Sequence, residues 1–321
     1  MARGGLVRAS RTRLLGSVRA SVLASVLASV LVAGSLAACS AEDAGVTSAT
    51  TSTSAAPGAT TADPTPRATT TPVTPAPGAT ASVSAATLDA VVSTALGSRR
   101  STSTVCLVDL RTGATYVYNP SLRIHTASIV KVLVLVSVIR YQADRGKGLT
   151  STQRALASRM IRWSDNNATS ALVRQIGHGS VTKVLTALGM SSTTFGGSSW
   201  GHTLTSARDQ ARLVTALVTG TPVLTAAQRG YVLDLMEDVT PSQHWGVGTE
   251  PAGATAQVKN GWYPDSGGWR VNSIGHVTGR GGRNYVLTVL TRGSPSMGSG
   301  IARVSAVAKA VYTAMAAPLA K

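Results

Sequence analysis

The chain has 321 residues, 43% of them hydrophobic, and a formal net charge of +17. That length holds one or two domains. The basic excess raises nucleic acid as a partner, but no recognition motif and no basic patch interleaved with aromatic residues accompanies it, so nucleic acid is set aside. Anionic lipid headgroups or acidic cell-wall polymers remain as partners for the charge.

The N-terminal segment carries Arg3, Arg8, Arg11, Arg13 and Arg19 without an acid, and is followed by an apolar, small-residue stretch at 20–36. The stretch is short for a membrane span and fits the charged and apolar regions of a secretory signal peptide. It ends in Leu36-Ala37-Ala38-Cys39, which resembles a bacterial lipobox. On that reading residues 1–38 are removed and Cys39 is the lipidated N-terminus. The plainer alternative is an ordinary signal peptide cut near Ala38. Removal leaves 25 basic and 13 acidic residues, a charge of +12. Residues 39–82 are dominated by Thr, Ser, Ala and Pro; such a segment has no large apolar side chains to bury and is expected to be an extended tether. The expected location is exported, held by lipid to the outer face of a bacterial cell membrane. With Cys39 lipidated, Cys106 is the one cysteine left, in the strand-like run STVCLVDL, and reads as a small core residue.

Residues 83–321 are expected to fold. A helix at 86–96 precedes two strands at 103–109 and 114–118, joined by a turn at 111–113. Helical patterns follow at 128–143, 151–162, 166–176, 180–188, 206–218 and 226–238. Strands are expected at 256–258, 269–278 and 284–291, the last two linked by the glycine-rich turn at 279–283. A helix from about residue 300 to 316 closes the chain. Two strands, a helical block and three more strands predict one sheet assembled from both ends of the domain.

Within residues 125–140 (HTASIVKVLVLVSVIR) Lys131 interrupts an almost unbroken apolar run, with Ser128 three positions before it. A buried ammonium needs a partner or a depressed pKa. On a helix, positions i and i+3 share a face, which suits a serine nucleophile activated by an amine. A core element whose lysine reaches the surface fits the same stretch.

Two later segments add weight to the first reading: Ser164-Asp165-Asn166 between helical patterns, and Lys259-Asn260-Gly261-Trp262 at the end of a strand. With Ser128-Ile129-Val130-Lys131 they resemble the S-x-x-K, S-D-N and K-T-G set of class A β-lactamases and penicillin-binding proteins. The resemblance implies an α+β fold, an antiparallel sheet flanked by helices plus a helical lobe. It implies acyl transfer on a β-lactam or peptide-like acyl substrate, with Ser128 as nucleophile at a helix N-terminus. Lys131 would be base or proton relay, Ser164 and Lys259 the proton route to the leaving nitrogen, and Asn166 the group that positions Lys131 and substrate. The N–H groups of Ser128 and Trp262 would form the oxyanion hole, while Lys259 and Asn260 would meet a substrate carboxylate beside Gly261. Asp165 reads as a helix cap. No motif points to a metal or an organic cofactor.

The chain also departs from that pattern. Class A enzymes use a loop glutamate to release the acyl group, yet the only acid between Asn166 and Asp234 is Asp209, beside Arg208 and Arg212. Asp209 reads as one half of a structural ion pair. The expected loop at 189–205 carries no general base of that kind, although His202 lies within it. Asn260 replaces the motif threonine, and Ser128 and Ser164 lie only 36 positions apart. These differences leave three readings: a β-lactamase that deacylates unusually, a D,D-peptidase-like acyl transferase, or a silent domain that binds wall fragments or a partner. Gly197-Ser198-Ser199-Trp200-Gly201 fits G-x-S-x-G, but no strand precedes it. Trp200, Trp245 and Trp262 suit either the cleft or the core.

Overall fold

The computed structural model describes residues 83–249, 251 and 253–316. Cys39, the expected signal peptide and the tether lie outside them.

Helix α1 (Ala85–Leu96) starts at Ser84, whose side chain accepts from the Thr87 N–H. Two antiparallel strands follow, β1 (Ser103–Asp109) and β2 (Thr115–Tyr118). The C-terminal third supplies β5 (Thr255–Asp265), β6 (Gly268–Gly279) and β7 (Arg283–Ser294). The sheet order is β2-β1-β7-β6-β5, antiparallel throughout, so the two ends of the domain meet where β1 pairs with β7.

Alternation along the strands explains why helices cover both faces. Cys106, Val286 and Leu290 face one core, whereas Val105, Leu107, Leu287 and Val289 face another. Adjacent residues point to opposite sides of a strand, and here both sides are apolar. The second core is closed by α1 and α7 (Met297–Ala314), which pack on each other. Cys106 is fully buried, and burial pushes its thiol up to about 12. It is therefore inert at neutral pH.

The first core lies under the helical part. Its centre is α2 (Val130–Ala143), buried on nearly every side, as suits a helix apolar all round. Around it pack α3 (Ser151–Arg162), α4 (Asn166–Ala187) and α6 (Ala226–Glu237), while α5 (Ala207–Thr219) lies on the sheet. The helices expected at 166–176 and 180–188 are the two halves of α4, which meet at a kink at Gly177, where φ is 70° and ψ is 167°. Only a residue without Cβ takes that conformation cheaply. Among the described residues no helix is long and apolar enough to cross a membrane.

Two differences from expectation matter for the site. A two-stranded ribbon, β3 (Arg123–His125) with β4 (Leu204–Ser206), ties the segment before Ser128 to the loop at 189–205. Further, β5 does not stop near residue 259. It runs on to Asp265, so Lys259 to Trp262 lie in mid-strand.

Candidate active site

Ser128 sits in a single 3-10 turn (Ala127–Ile129) that leads directly into α2. The turn is held from the sheet. Asn272, fully buried on β6, donates its amide N–H groups to the carbonyls of His125 (2.9 Å) and Thr126 (3.0 Å), and its Oδ1 accepts from the Thr291 N–H. Ala127 is forced to φ 50°, a conformation unusual for a residue with a side chain. Strain of this kind persists only where the surroundings over-determine it.

The second anchor is β5. A Cβ on Gly261 would lie 2.5 Å from the Ser128 nitrogen, 2.8 Å from the Ile129 nitrogen and 2.9 Å from the Thr126 carbonyl oxygen. Strand and turn touch through backbone, so the position must be glycine. That contact brings the backbone of Gly261 and Trp262 against the amide of Ser128.

Lys131 and Lys259 are both 0% exposed, and both reach Ser164. Lys131 Nζ donates to the Ser164 carbonyl (2.6 Å) and to Asn166 Oδ1 (2.8 Å), and lies 3.1 Å from Ser164 Oγ. Lys259 Nζ donates to Ser164 Oγ (3.2 Å), Gln243 Oε1 (3.3 Å) and the Asn260 carbonyl (2.9 Å). Ser164 itself is held at φ 58°. Burial draws Lys131 down to about 7, against a smaller opposing pull from Asp165. Burial and then the charge of Lys131 draw Lys259 well below the ordinary lysine value.

When Lys131 is neutral, the hydrogen bonds acquire a direction. A neutral Lys131 amine has two donors, taken by Ser164 O and Asn166 Oδ1, and one lone pair. Lys259 can donate to Ser164 Oγ, whose own proton then points to the Lys131 lone pair. A proton can travel along this line in either direction.

The cleft, of about 460 Å³, is lined by Ala127, Ser128, Asn166, Trp200, His202 and Tyr263 among others. That volume suits a small organic ligand. The Trp200 ring centre is 5.0 Å from Lys131 Nζ, and its Nε1 donates to Ser170 Oγ (3.2 Å). His202 contacts two rings edge-on, those of His125 (5.5 Å) and Tyr263 (5.3 Å). Tyr263 and His125 are themselves joined between the hydroxyl and Nδ1 at 3.1 Å.

Asn260 is placed differently from expectation. It is 1% exposed, and its amide donates to the carbonyls of Gln243 (2.6 Å) and Trp245 (3.0 Å). Its side chain is committed inward rather than to a substrate carboxylate, because residues 260 and 259 point to opposite faces of β5. Likewise the Trp262 indole packs on Trp245 at 5.8 Å, which leaves its backbone as the part that serves the cleft.

The nearby carboxylates are all engaged. Asp165 caps α4 by accepting from the Ala168 N–H and pairs with Arg159. Asp265 pairs with Arg270. Asp209, 1% exposed, accepts from the Ser192 N–H and Thr193 Oγ1 and pairs with Arg212. Among the described residues the cleft lining holds no Asp or Glu, and no group of three His, Cys, Asp or Glu could hold a metal ion. Sequence reasoning missed Gln243, Asn272, His125 and Tyr263. None lies in a motif, and each reaches the site through strand pairing or a 3-10 turn.

The description "Beta-lactamase enzyme family" matches residues 142–315, more than half of the chain. The chain belongs to that family. With its fold, membership makes it a serine hydrolase. The matched span holds Ser164, Asn166 and Lys259 to Trp262, and begins just after Ser128 and Lys131. No curated protein matches in sequence. Solved structures with the same fold include a class A β-lactamase from Bacteroides cellulosilyticus (16% identity, TM-score 0.64, covering 73% of this chain and 98% of that one). Others are a β-lactamase from Sphaerobacter thermophilus (22%, TM-score 0.62, 74% and 100%) and the extended-spectrum β-lactamase TLA-1 (14%, TM-score 0.66, 72% and 99%). Among the described residues this family member's cleft is furnished with rings and hydroxyls and without a carboxylate.

Proposed function

We propose that this protein is acylated at Ser128 by β-lactams or related amides and esters, and releases the acyl group slowly. The observation that carries the reading is the pair of fully buried lysines sharing Ser164 Oγ. A silent binding domain has no use for two such costly groups.

In this mechanism the Lys131 lone pair takes the Ser128 proton as Oγ attacks the carbonyl carbon. Negative charge on the carbonyl oxygen meets the N–H groups of Ser128 and Trp262. The proton then passes through Ser164 to the leaving nitrogen, and the C–N bond breaks. What remains is an ester on Ser128. Its hydrolysis needs a base for water, and the cleft lining offers no carboxylate. The same gap supports a second reading, a D,D-peptidase-like acyl transferase whose acceptor is an amine.

A chromogenic cephalosporin distinguishes these outcomes. The expected trace is a burst of about one equivalent per enzyme followed by a slow steady state, with both phases lost in Ser128→Ala. Hydrolysis that survives that substitution would overturn the proposal.

The proposed location is the outer face of a bacterial membrane, anchored through lipid on Cys39, near anionic wall polymers. Support comes from Leu36-Ala37-Ala38-Cys39 and the arginine-rich segment before it. Cys39→Ser is expected to move the protein out of the membrane fraction, which fractionation and blotting would read. Unchanged membrane retention would rule the anchor out.

A further inference from the structure

A cation with donors to spare gives a site its strongest hold on an anionic substrate, and the two lysines nearest Ser128 have none. An ammonium has three N–H donors. Lys259 directs its three at Ser164 Oγ, Gln243 Oε1 and the Asn260 carbonyl, and is 0% exposed. Lys131 is equally buried, with its nitrogen on Ser164 O, Ser164 Oγ and Asn166 Oδ1.

The other donors expected to meet a carboxylate are also engaged. Both amide hydrogens of Asn260 go to main-chain carbonyls on the far side of β5. Arg270 on the adjacent strand, paired with Tyr263 in register, is neutralised by Asp265 and lies over the Tyr263 ring at 5.7 Å. Among the described residues the cleft lining contains no Lys or Arg. What it offers is the rings of Trp200, His202 and Tyr263, and the hydroxyls of Ser170, Ser198 and Ser199. Rings and hydroxyls bind uncharged groups by stacking and neutral hydrogen bonds.

We infer that this site takes uncharged acyl esters and amides, and draws no affinity from a carboxylate beside the scissile bond. The inference rests on acylation at Ser128 as proposed above and names the substrate class for it. The chemistry is unchanged: the Ser128 Oγ–acyl bond forms, the bond to the alcohol or amine breaks, and the serine proton ends on that leaving group.

The test compares benzylpenicillin with its methyl ester, which differ only in that carboxylate. Acylation of the full chain at pH 8 is followed by intact mass, with p-nitrophenyl butyrate as an uncharged ester and Ser128→Ala as control. The expected result is that the methyl ester acylates Ser128 at least one-third as fast as the free acid. Release of about one equivalent of nitrophenolate in a Ser128-dependent burst is expected too. If the free acid acylates more than threefold faster, the site reads the carboxylate and the inference falls while Ser128 acylation stands. If neither penicillin adds to Ser128 and nitrophenolate release survives Ser128→Ala, the acylation reading itself is overturned.

Discussion

Lys131→Met is expected to slow acylation of Ser128 by about 10²–10⁴-fold, the usual contribution of a positioned general base. Methionine has nearly the volume of lysine and no charge, so a fully buried position on α2 keeps its packing. What disappears is the amine that, in the proposed mechanism, takes the Ser128 proton and that contacts Ser164 and Asn166. The pH profile separates this cause from general damage. Acylation by the unaltered protein should rise with pH around 7, where Lys131 loses its proton. Because Lys259 and Lys131 interact, the apparent value belongs to the pair. That rise should vanish in Lys131→Met. A variant that keeps the profile would mean that another group is the base.

The same titration enters stability, with a definite sign. An unfolded chain holds the Lys131 proton up to 10.5, whereas the folded protein releases it at about 7. Between those values the unfolded state binds more protons, so folding stability rises with pH. Below 7 both states are protonated and this contribution is flat, at a penalty of about 5 kcal/mol. Lys131→Met removes its share of the slope, and the depressed Lys259 retains its own. Urea unfolding at pH 6.5, 8 and 9.5 would read the change.

Gly261→Ala should cost both activity and stability. The added methyl carbon meets backbone at 2.5 Å, 2.8 Å and 2.9 Å, with no flexible side chain to move aside. Either β5 or the Ser128 turn must shift. Overpacking of this kind costs about 1–3 kcal/mol. Loss of a well-placed oxyanion donor costs about 10²–10³-fold in rate. Near-normal acylation in Gly261→Ala would show that strand and turn do not form the oxyanion site together.

The sequence made some of this legible for physical reasons that individual residues show. STVCLVD at 103–109 is apolar at both parities, which marks a strand covered on both faces, and it lies beside β7 as the end-to-end sheet requires. Lys131 was conspicuous because its neighbours are apolar. By contrast, β5 looked finished at Lys259 because Lys, Asn, Gly, Pro and Asp are poor strand residues. It continues because Gln243 accepts from Lys259 and two main-chain carbonyls accept from the Asn260 amide N–H groups, and because an edge strand tolerates Pro264. The β3–β4 ribbon was invisible, since three residues carry no periodicity. Asn272 and Gln243 gave no local signal at all. Their roles exist only once the sheet and the turns bring distant backbone groups beside them.

The covalent bond at Ser128 is the step on which the proposed chemistry depends. A time course of intact mass on the full chain with a penicillin, followed by peptide mapping, tests it most directly. One acyl group on Ser128, forming readily and persisting after excess drug is removed, with none on Ser128→Ala, is the predicted result. No adduct while the penicillin survives untouched, or an adduct that forms equally on Ser128→Ala, would contradict it.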